Sequence, residues 1–214
     1  MGVTIDEILV GDPAEAWEAA GFAVDDDGTC RIGTVRVRLV GREGGKRILG
    51  WSLRDAAPAR LAGGSLDGLP TTESTADPAE PATHPNGATH IDHVVLLSPD
   101  LARTTSALGA LGLSVRGERD SDTYGAPMRQ VFFRLGEVIV ELVGQPDTAG
   151  EGDPGFFGVA ITVADLDATA ELLGDHLGAA KDAVQEGRRI ATLRHRAVGM
   201  SVSTALMSPE ARSS

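Results

Sequence analysis

The sequence predicts an α+β fold built from three βαβββ units, and two observations carry that reading. A strand-like stretch leading into a helix start occurs three times: Ile5 to Ala14 (IDEILVGDPA), Ile91 to Leu101 (IDHVVLLSPDL) and Phe157 to Leu166 (FGVAITVADL). Each is followed by a short helical stripe ending at a glycine and then by three more strand-like segments. A repeat of this kind decides the architecture, because one such unit cannot bury its sheet face alone and must pair with another.

In the first unit (1–56), VTIDEILV has strand composition, and Asp12-Pro13-Ala14-Glu15 is a helix start with a cap, a proline and a glutamate three residues after the cap. Ala14, Trp17 and Ala20 lie at helical spacing before Gly21. TCRIG, TVRVRLV and RILGWSL supply three strands, the second alternating Val35, Val37 and Leu39 against Arg36 and Arg38.

Residues 57–89 hold five prolines among Ala, Gly, Thr and acidic residues, which predicts a linker, with Leu61, Leu66 and Leu69 as anchors for its first part. The second unit (90–146) starts with HIDHVVLLS, and its helix carries Leu101, Leu108 and Leu111 ahead of Gly112. LSVRGERD, RQVFFRL and EVIVELVG complete it. The third unit (155–209) has FGVAITV, a helix with Leu166, Ala170, Leu173 and Leu177, and then AAKDAVQEG, RRIATLRHRAVG and MSVSTALMS.

The formal net charge of −12 argues against sequence-independent nucleic-acid binding, which needs lysines and arginines against phosphates. No apolar run approaches the roughly 20 residues of a membrane helix. Cys30 is the only cysteine, which excludes an internal disulfide and thiolate zinc clusters. The N-terminus is acidic where a signal peptide would be basic, so the expected setting is a soluble cytoplasmic protein. Arg188, Arg189, Arg194 and Arg196 read as a solvated face, with an anion-binding rim as the alternative.

The stretches IDHVVLLSPDL and EVIVELVG, then GVAITVADLDATAELL and SVSTALMSP, resemble the vicinal oxygen chelate superfamily, the glyoxalase and bleomycin-resistance-like proteins. The resemblance spans about residues 89 to 209 and touches the first unit weakly. It implies that units two and three pair into a cupped mixed sheet. It also implies a divalent metal in that cup, held from the first and last strand of each unit and acting on neighbouring substrate oxygens.

Carried over position by position, the resemblance makes His93 and Glu141 the candidate metal ligands, with zinc, nickel, iron or manganese all suited to imidazole plus carboxylate. The third unit departs from the pattern, with Gly158 in place of a histidine and Thr204 or Ala205 in place of a carboxylate. The first unit offers Glu7 and, on its last strand, Ser52. His195, expected on a strand, is the candidate third ligand. Tyr124, Met128 and Gln130 are candidates for the mouth of the cup, and His84 and His90 fall in the linker and the strand entry.

Two readings follow. One is a metal-free cup that binds a small molecule, with His93 and Glu141 as an acid–base pair inherited from a metal site. The other is a metal-dependent lyase, isomerase or dioxygenase acting through His93 and Glu141 on a small oxygenated substrate. Two ligands fall short of the roughly three of catalytic zinc sites, which favours the first. An odd number of units also leaves the first without a partner, so it is expected to dock beside the others or to pair across a homodimer.

Overall fold

The computed structural model describes residues 2–57, 61, 63–122 and 125–210. Among the described residues the elements run in the order β1 (Thr4–Val10), α1 (Ala14–Glu18), β2 (Thr29–Ile32), β3 (Val35–Leu39), β4 (Ile48–Arg54), β5 (Ser65–Leu66) and β6 (Leu69–Ser74). They continue as β7 (Ala88–Leu97), α2 (Leu101–Ala110), β8 (Gly117–Ser121), β9 (Met128–Leu135) and β10 (Val138–Gly144). The last are β11 (Gly155–Val163), α3 (Leu166–Leu173), β12 (Lys181–Asp182), β13 (Arg189–Thr192) and β14 (Ser203–Met207). No helix among the described residues is long and apolar enough to cross a membrane.

The strands form two mixed sheets. The second has eight strands in the order β12-β13-β14-β11-β7-β10-β9-β8. Its two halves are the second and third βαβββ units, joined where β7 runs antiparallel to β11. Within each half the first strand lies parallel to the last, β7 beside β10 and β11 beside β14. This is the paired arrangement expected of units two and three.

The first sheet departs from expectation. Its order is β2-β3-β1-β4-β6-β5. Strand β4 does not close the first unit beside β3; it runs antiparallel to β1 and parallel to β6. The central pair β1 and β4 therefore matches β7 and β11, with β3 and β6 in the places of β10 and β14. The strands β5 and β6 lie in the segment expected to be a linker. Leu66 and Leu69 are buried there, so burial supplies what the proline content suggested was missing. The first unit thus finds its partner within its own sheet, and the premise for a homodimer built on an unpaired unit falls away.

The rest of the expected linker is also tied down. Ala79 and Ala82 donate backbone hydrogen bonds to Thr34 and Arg31 carbonyls. His84 is buried, accepting from the Ala23 backbone at Nδ1 (3.0 Å) and facing the Arg31 carbonyl with Nε2 (3.0 Å). A carbonyl can only accept, so Nε2 carries the proton and the ring is neutral in this arrangement.

One apolar core runs through both sheets, from Ile5, Ile8 and Trp17 to Val94, Leu96 and Phe133. Trp51 meets Phe156 edge-on, with ring centroids 5.2 Å apart. Asp12, expected to cap α1, does other work. The N-cap is Pro13, with no side-chain bond. The buried Asp12 carboxylate accepts instead from Trp17 Nε1 (3.2 Å), Ser201 Oγ (2.6 Å) and Arg42 Nη1 (2.6 Å). It fastens the loop before β14 to the first sheet.

Candidate functional site

The site begins with an irregularity in β7. Opposite β11, Ile91 pairs with Ile161 and His93 with Ala160, which leaves Asp92 as an extra residue. A bulge of this kind breaks the two-residue alternation and re-aims side chains. Ile91, Val94 and Leu96 are buried in the core, whereas His93 turns to the concave face and Asp92 reaches its ring.

Two hydrogen-bonded arms converge on that face. In the first, Arg188 donates from Nη1 to Asp92 Oδ2 (2.6 Å), from Nη2 to Thr162 Oγ1 (3.0 Å) and from Nε to the Ser208 carbonyl (2.9 Å). Asp92 Oδ1 then takes His93 Nδ1 at 2.9 Å. Burial opposes ionisation of Asp92, but the hydrogen bonds from His93 and Arg188 and the arginine charge outweigh it, holding the carboxyl down at about 2. An ionised carboxylate only accepts, so the Nδ1 proton is on the ring and, in the neutral imidazole, Nε2 is a bare acceptor.

In the second arm, Arg119 Nε donates to Gln130 Oε1 (2.6 Å), and Gln130 Nε2 donates to Glu141 Oε1. Arginine has no acceptor, so this contact fixes which end of the Gln130 amide faces Glu141. Glu141 Oε2 is left facing His93 Nε2 at 3.8 Å, too far for a hydrogen bond between them. Both side chains are 15% exposed, and both open onto the same cavity.

That cavity is a cup of about 540 Å³ in the second sheet. Val95, Leu97, Met128, Val143, Phe157 and Ile190 give it apolar walls around His93, Gln130 and Glu141. Leu97 and Phe157, at 43% and 47% exposure, bring large apolar surfaces to solvent. Phe157 is itself the extra residue of a second bulge, between Phe156 and Gly158. Of the residues expected at the mouth, Met128 and Gln130 line the cup, and Tyr124 lies outside the described residues.

Among the described residues, the other half of the cup brings hydroxyls (Thr192, Ser203, Thr204) but no His, Cys, Asp or Glu. Strand pairing sets Gly158 against Val95 and Ala160 against both His93 and Ala205. By the twofold relation of the two halves, Gly158 stands where His93 does and Ala205, rather than Thr204, where Glu141 does. A Cβ on residue 158 would lie 2.1 Å from the Ser203 carbonyl oxygen, so the backbone leaves no room for any side chain there. Two donors remain, and the Gln130 amide turns its N–H toward them. No group of three or more His, Cys, Asp or Glu able to hold a metal occurs among the described residues. This donor set does not fit a resident metal ion.

His195, expected on a strand and near the cup, lies in a 3₁₀ turn (His195–Val198) and is not among the cup's lining residues. The turn arises because Gly199, at φ 85°, reverses the chain. The arginine run also resolves differently. Arg188 is buried against Asp92, and Arg189 pairs with Asp167 at 2.7 Å on the surface.

The first sheet contains a counterpart to the cup. Asp6 is the extra residue between the pairs Ile5–Leu53 and Glu7–Ser52, matching Asp92. Like Asp92 it is buried and arginine-bound, here by Arg36 and Arg54. Glu7 lies opposite Arg36 and His93 opposite Ile139, so two residues on Arg38 takes the place of Glu141. Ser52, expected in that role, is on the antiparallel neighbour instead. Glu7 and Arg38 form an ion pair at 2.7 Å, and the cavity beside Glu7 is only about 150 Å³. Here the polar pair satisfies itself.

A larger cleft of about 920 Å³ opens elsewhere, lined by Arg54, Asp55, Arg116, Arg134 and Glu137 among others. It mixes charges of both signs without converging polar groups of one kind. The cup, with apolar walls and two acceptors at its polar end, is the better candidate.

Comparison with known proteins agrees with the architecture. Residues 92–192 match the Glyoxalase/Bleomycin resistance protein/Dioxygenase superfamily. A variant of 4-hydroxymandelate synthase from Streptomyces coelicolor superposes with TM-score 0.63 at 15% identity, over 100% of this chain and 94% of that one. A xylose isomerase-like TIM barrel/4-hydroxyphenylpyruvate dioxygenase fusion protein gives TM-score 0.60 at 13% identity, over 99% of this chain and 49% of that one. Methylmalonyl-CoA epimerase from Mycobacterium tuberculosis aligns at 20% identity over 59% of this chain and 91% of its own, with TM-score 0.45. At 15% and 13% identity the first two likenesses are ones of fold alone. No curated protein matches the sequence.

Proposed function

We propose, from the match of residues 92–192 to the Glyoxalase/Bleomycin resistance protein/Dioxygenase superfamily, that the chain binds a small molecule in the cup of its second sheet without a resident metal. The observation that carries this is the asymmetry of the cup. His93 and Glu141 are held in place by two hydrogen-bonded arms, while the equivalent positions are Gly158 and Ala205. A divalent ion would find two protein donors, fewer than the roughly three that hold a catalytic zinc.

About 540 Å³ suits a small organic ligand, and burying its apolar body against Val95, Val143, Phe157 and Ile190 drives binding. The polar groups orient it. Because both arms are anchored in the fold, His93 and Glu141 lose little freedom when a ligand arrives.

Thermal-shift screening of small apolar compounds tests this, since a ligand of the native state raises stability by mass action. Compounds that stabilise the protein, and fail to stabilise an Ala205→Phe variant with the cup filled, are the expected result. A panel without any stabilising compound, or hits that persist in Ala205→Phe, would overturn it.

One observation favours the second reading, a metal-dependent lyase, isomerase or dioxygenase. A carboxylate holding Nδ1, as Asp92 holds His93, is the usual way a metal-ligating histidine is oriented. That reading requires a third ligand from outside the donor set described above.

A further inference from the structure

We propose that the molecule taken by the cup is a small apolar amine, its protonated nitrogen seated between His93 Nε2 and Glu141 Oε2. This rests on the cup being a binding site and names the chemistry it selects. Of the polar side chains lining the cup, Gln130, Thr192, Ser203 and Thr204 are neutral, and the two that face each other at its polar end, the Glu141 carboxylate and the neutral imidazole of His93, accept. Glu141 Oε1 already receives the Gln130 amide, whose orientation Arg119 fixes, and Oε2 receives no hydrogen bond from the described residues. His93 donates its Nδ1–H to Asp92, which in a neutral imidazole leaves the Nε2 lone pair open. At 3.8 Å the two acceptors cannot bond each other, but one donor atom between them reaches both at ordinary hydrogen-bond lengths.

The charge balance points the same way. Arg188 is neutralised by Asp92, and Arg119 stands behind Gln130. Neither is among the lining residues of the cup, which include no lysine or arginine and one carboxylate, Glu141. An ammonium group meets the Glu141 carboxylate with opposite charge and brings several N–H donors. A carboxylate or phosphate ligand would meet Glu141 with like charge and an acceptor with an acceptor. The apolar body of the amine lies along Val95, Val143 and Ile190, with Leu97 and Phe157 presenting further apolar surface. The first sheet supports the logic in reverse. There the acceptor Glu7 has its cation built in as Arg38, and the space beside it is small.

The test uses three compounds that share one phenyl body and differ in the head: 2-phenylethylamine, 2-phenylethanol and phenylacetate. Each is titrated into the tag-free full chain near neutral pH and followed by backbone amide NMR at Val95, Val143 and Gly158. The amine is expected to bind at least about tenfold tighter than phenylacetate, with the alcohol between them. Glu141→Gln is expected to weaken the amine about tenfold and to leave the alcohol nearly unchanged. Phenylacetate binding as tightly as the amine, or amine affinity unaltered in Glu141→Gln, would overturn the proposal. The wild-type ranking decides the matter alone should that variant lose its fold. If none of the three shifts the cup resonances, the binding reading itself fails. A different ranking leaves that reading standing and removes only the preference for an amine.

Discussion

Gly158 and Ser203 face each other across β11 and β14 so closely that a Cβ at 158 would lie 2.1 Å from the Ser203 carbonyl oxygen. The absence of a ligand at this position is thus built into the backbone as well as the side chain. Gly158→Ala should destabilise the fold by about 1–3 kcal/mol, the usual range for overpacking a close contact. Gly158→His should cost more and create no metal affinity. Urea unfolding with metal titration checks both; a well-folded Gly158→His that binds zinc would show that the strands can part.

Asp92 and Arg188 form a buried pair, with side chains 8% and 6% exposed. Removing either partner leaves the other's charge unmatched in the interior. Arg188→Met should therefore cost about 3–5 kcal/mol, and Asp92→Asn with Arg188→Met together should cost less than the sum of the single changes. The ring of His93 gives an independent readout. Nitrogen-15 shifts should place its proton on Nδ1 in the wild type and show mixed tautomers once Asp92 is Asn. An unchanged ring would mean that Asp92 does not set its orientation.

His84 supplies a pH-dependent contribution to stability. Burial lowers its proton affinity below the ordinary histidine value, against the raising effect of the Arg31 carbonyl. Its Nδ1 accepts from the Ala23 backbone, a bond that protonation destroys. A histidine held neutral in the fold binds fewer protons than the unfolded chain, so stability is full above the unfolded value near 6.5 and falls as pH drops below it. The loss by pH 5 should be about 1 kcal/mol, the net worth of one hydrogen bond. Denaturation from pH 7.5 to 5 should show the decline in the wild type and a flatter curve in His84→Gln. Parallel curves would remove His84 as its source.

The repeat was legible because each strand announces itself locally. Val35, Val37 and Leu39 alternate with Arg36 and Arg38, and all three apolar residues are buried. The partner of a strand is not written in that pattern. Nothing within RILGWSL distinguishes a last strand beside β3 from a first strand beside β1 and β6, so the first sheet was divided one strand late. The burial of the segment after β4 is hidden for a related reason: Leu66 and Leu69 look sparse in sequence and are buried only once β6 pairs with β4 and β5 with β6.

The site was half legible. His93 and Glu141 stand out as polar residues in apolar strands, and the structure brings them to 3.8 Å. Asp92 is not legible in the sequence, because strict alternation points it away from His93 and only the bulge reverses that. The sequence does hold one trace: Ile-Asp recurs before Glu7 and before His93, and both aspartates sit at the extra position. Arg188 and Arg119 reach the site from other strands and loops, where no local signal marks them.

The central claim is that His93 and Glu141 form a pair of acceptors without a resident metal. Calorimetric titration of zinc, nickel, manganese and iron(II) into tag-free, metal-stripped protein tests it most directly. No stoichiometric binding tighter than millimolar is expected for any of the four. One equivalent bound at micromolar affinity or better, and lost in His93→Ala, would contradict it.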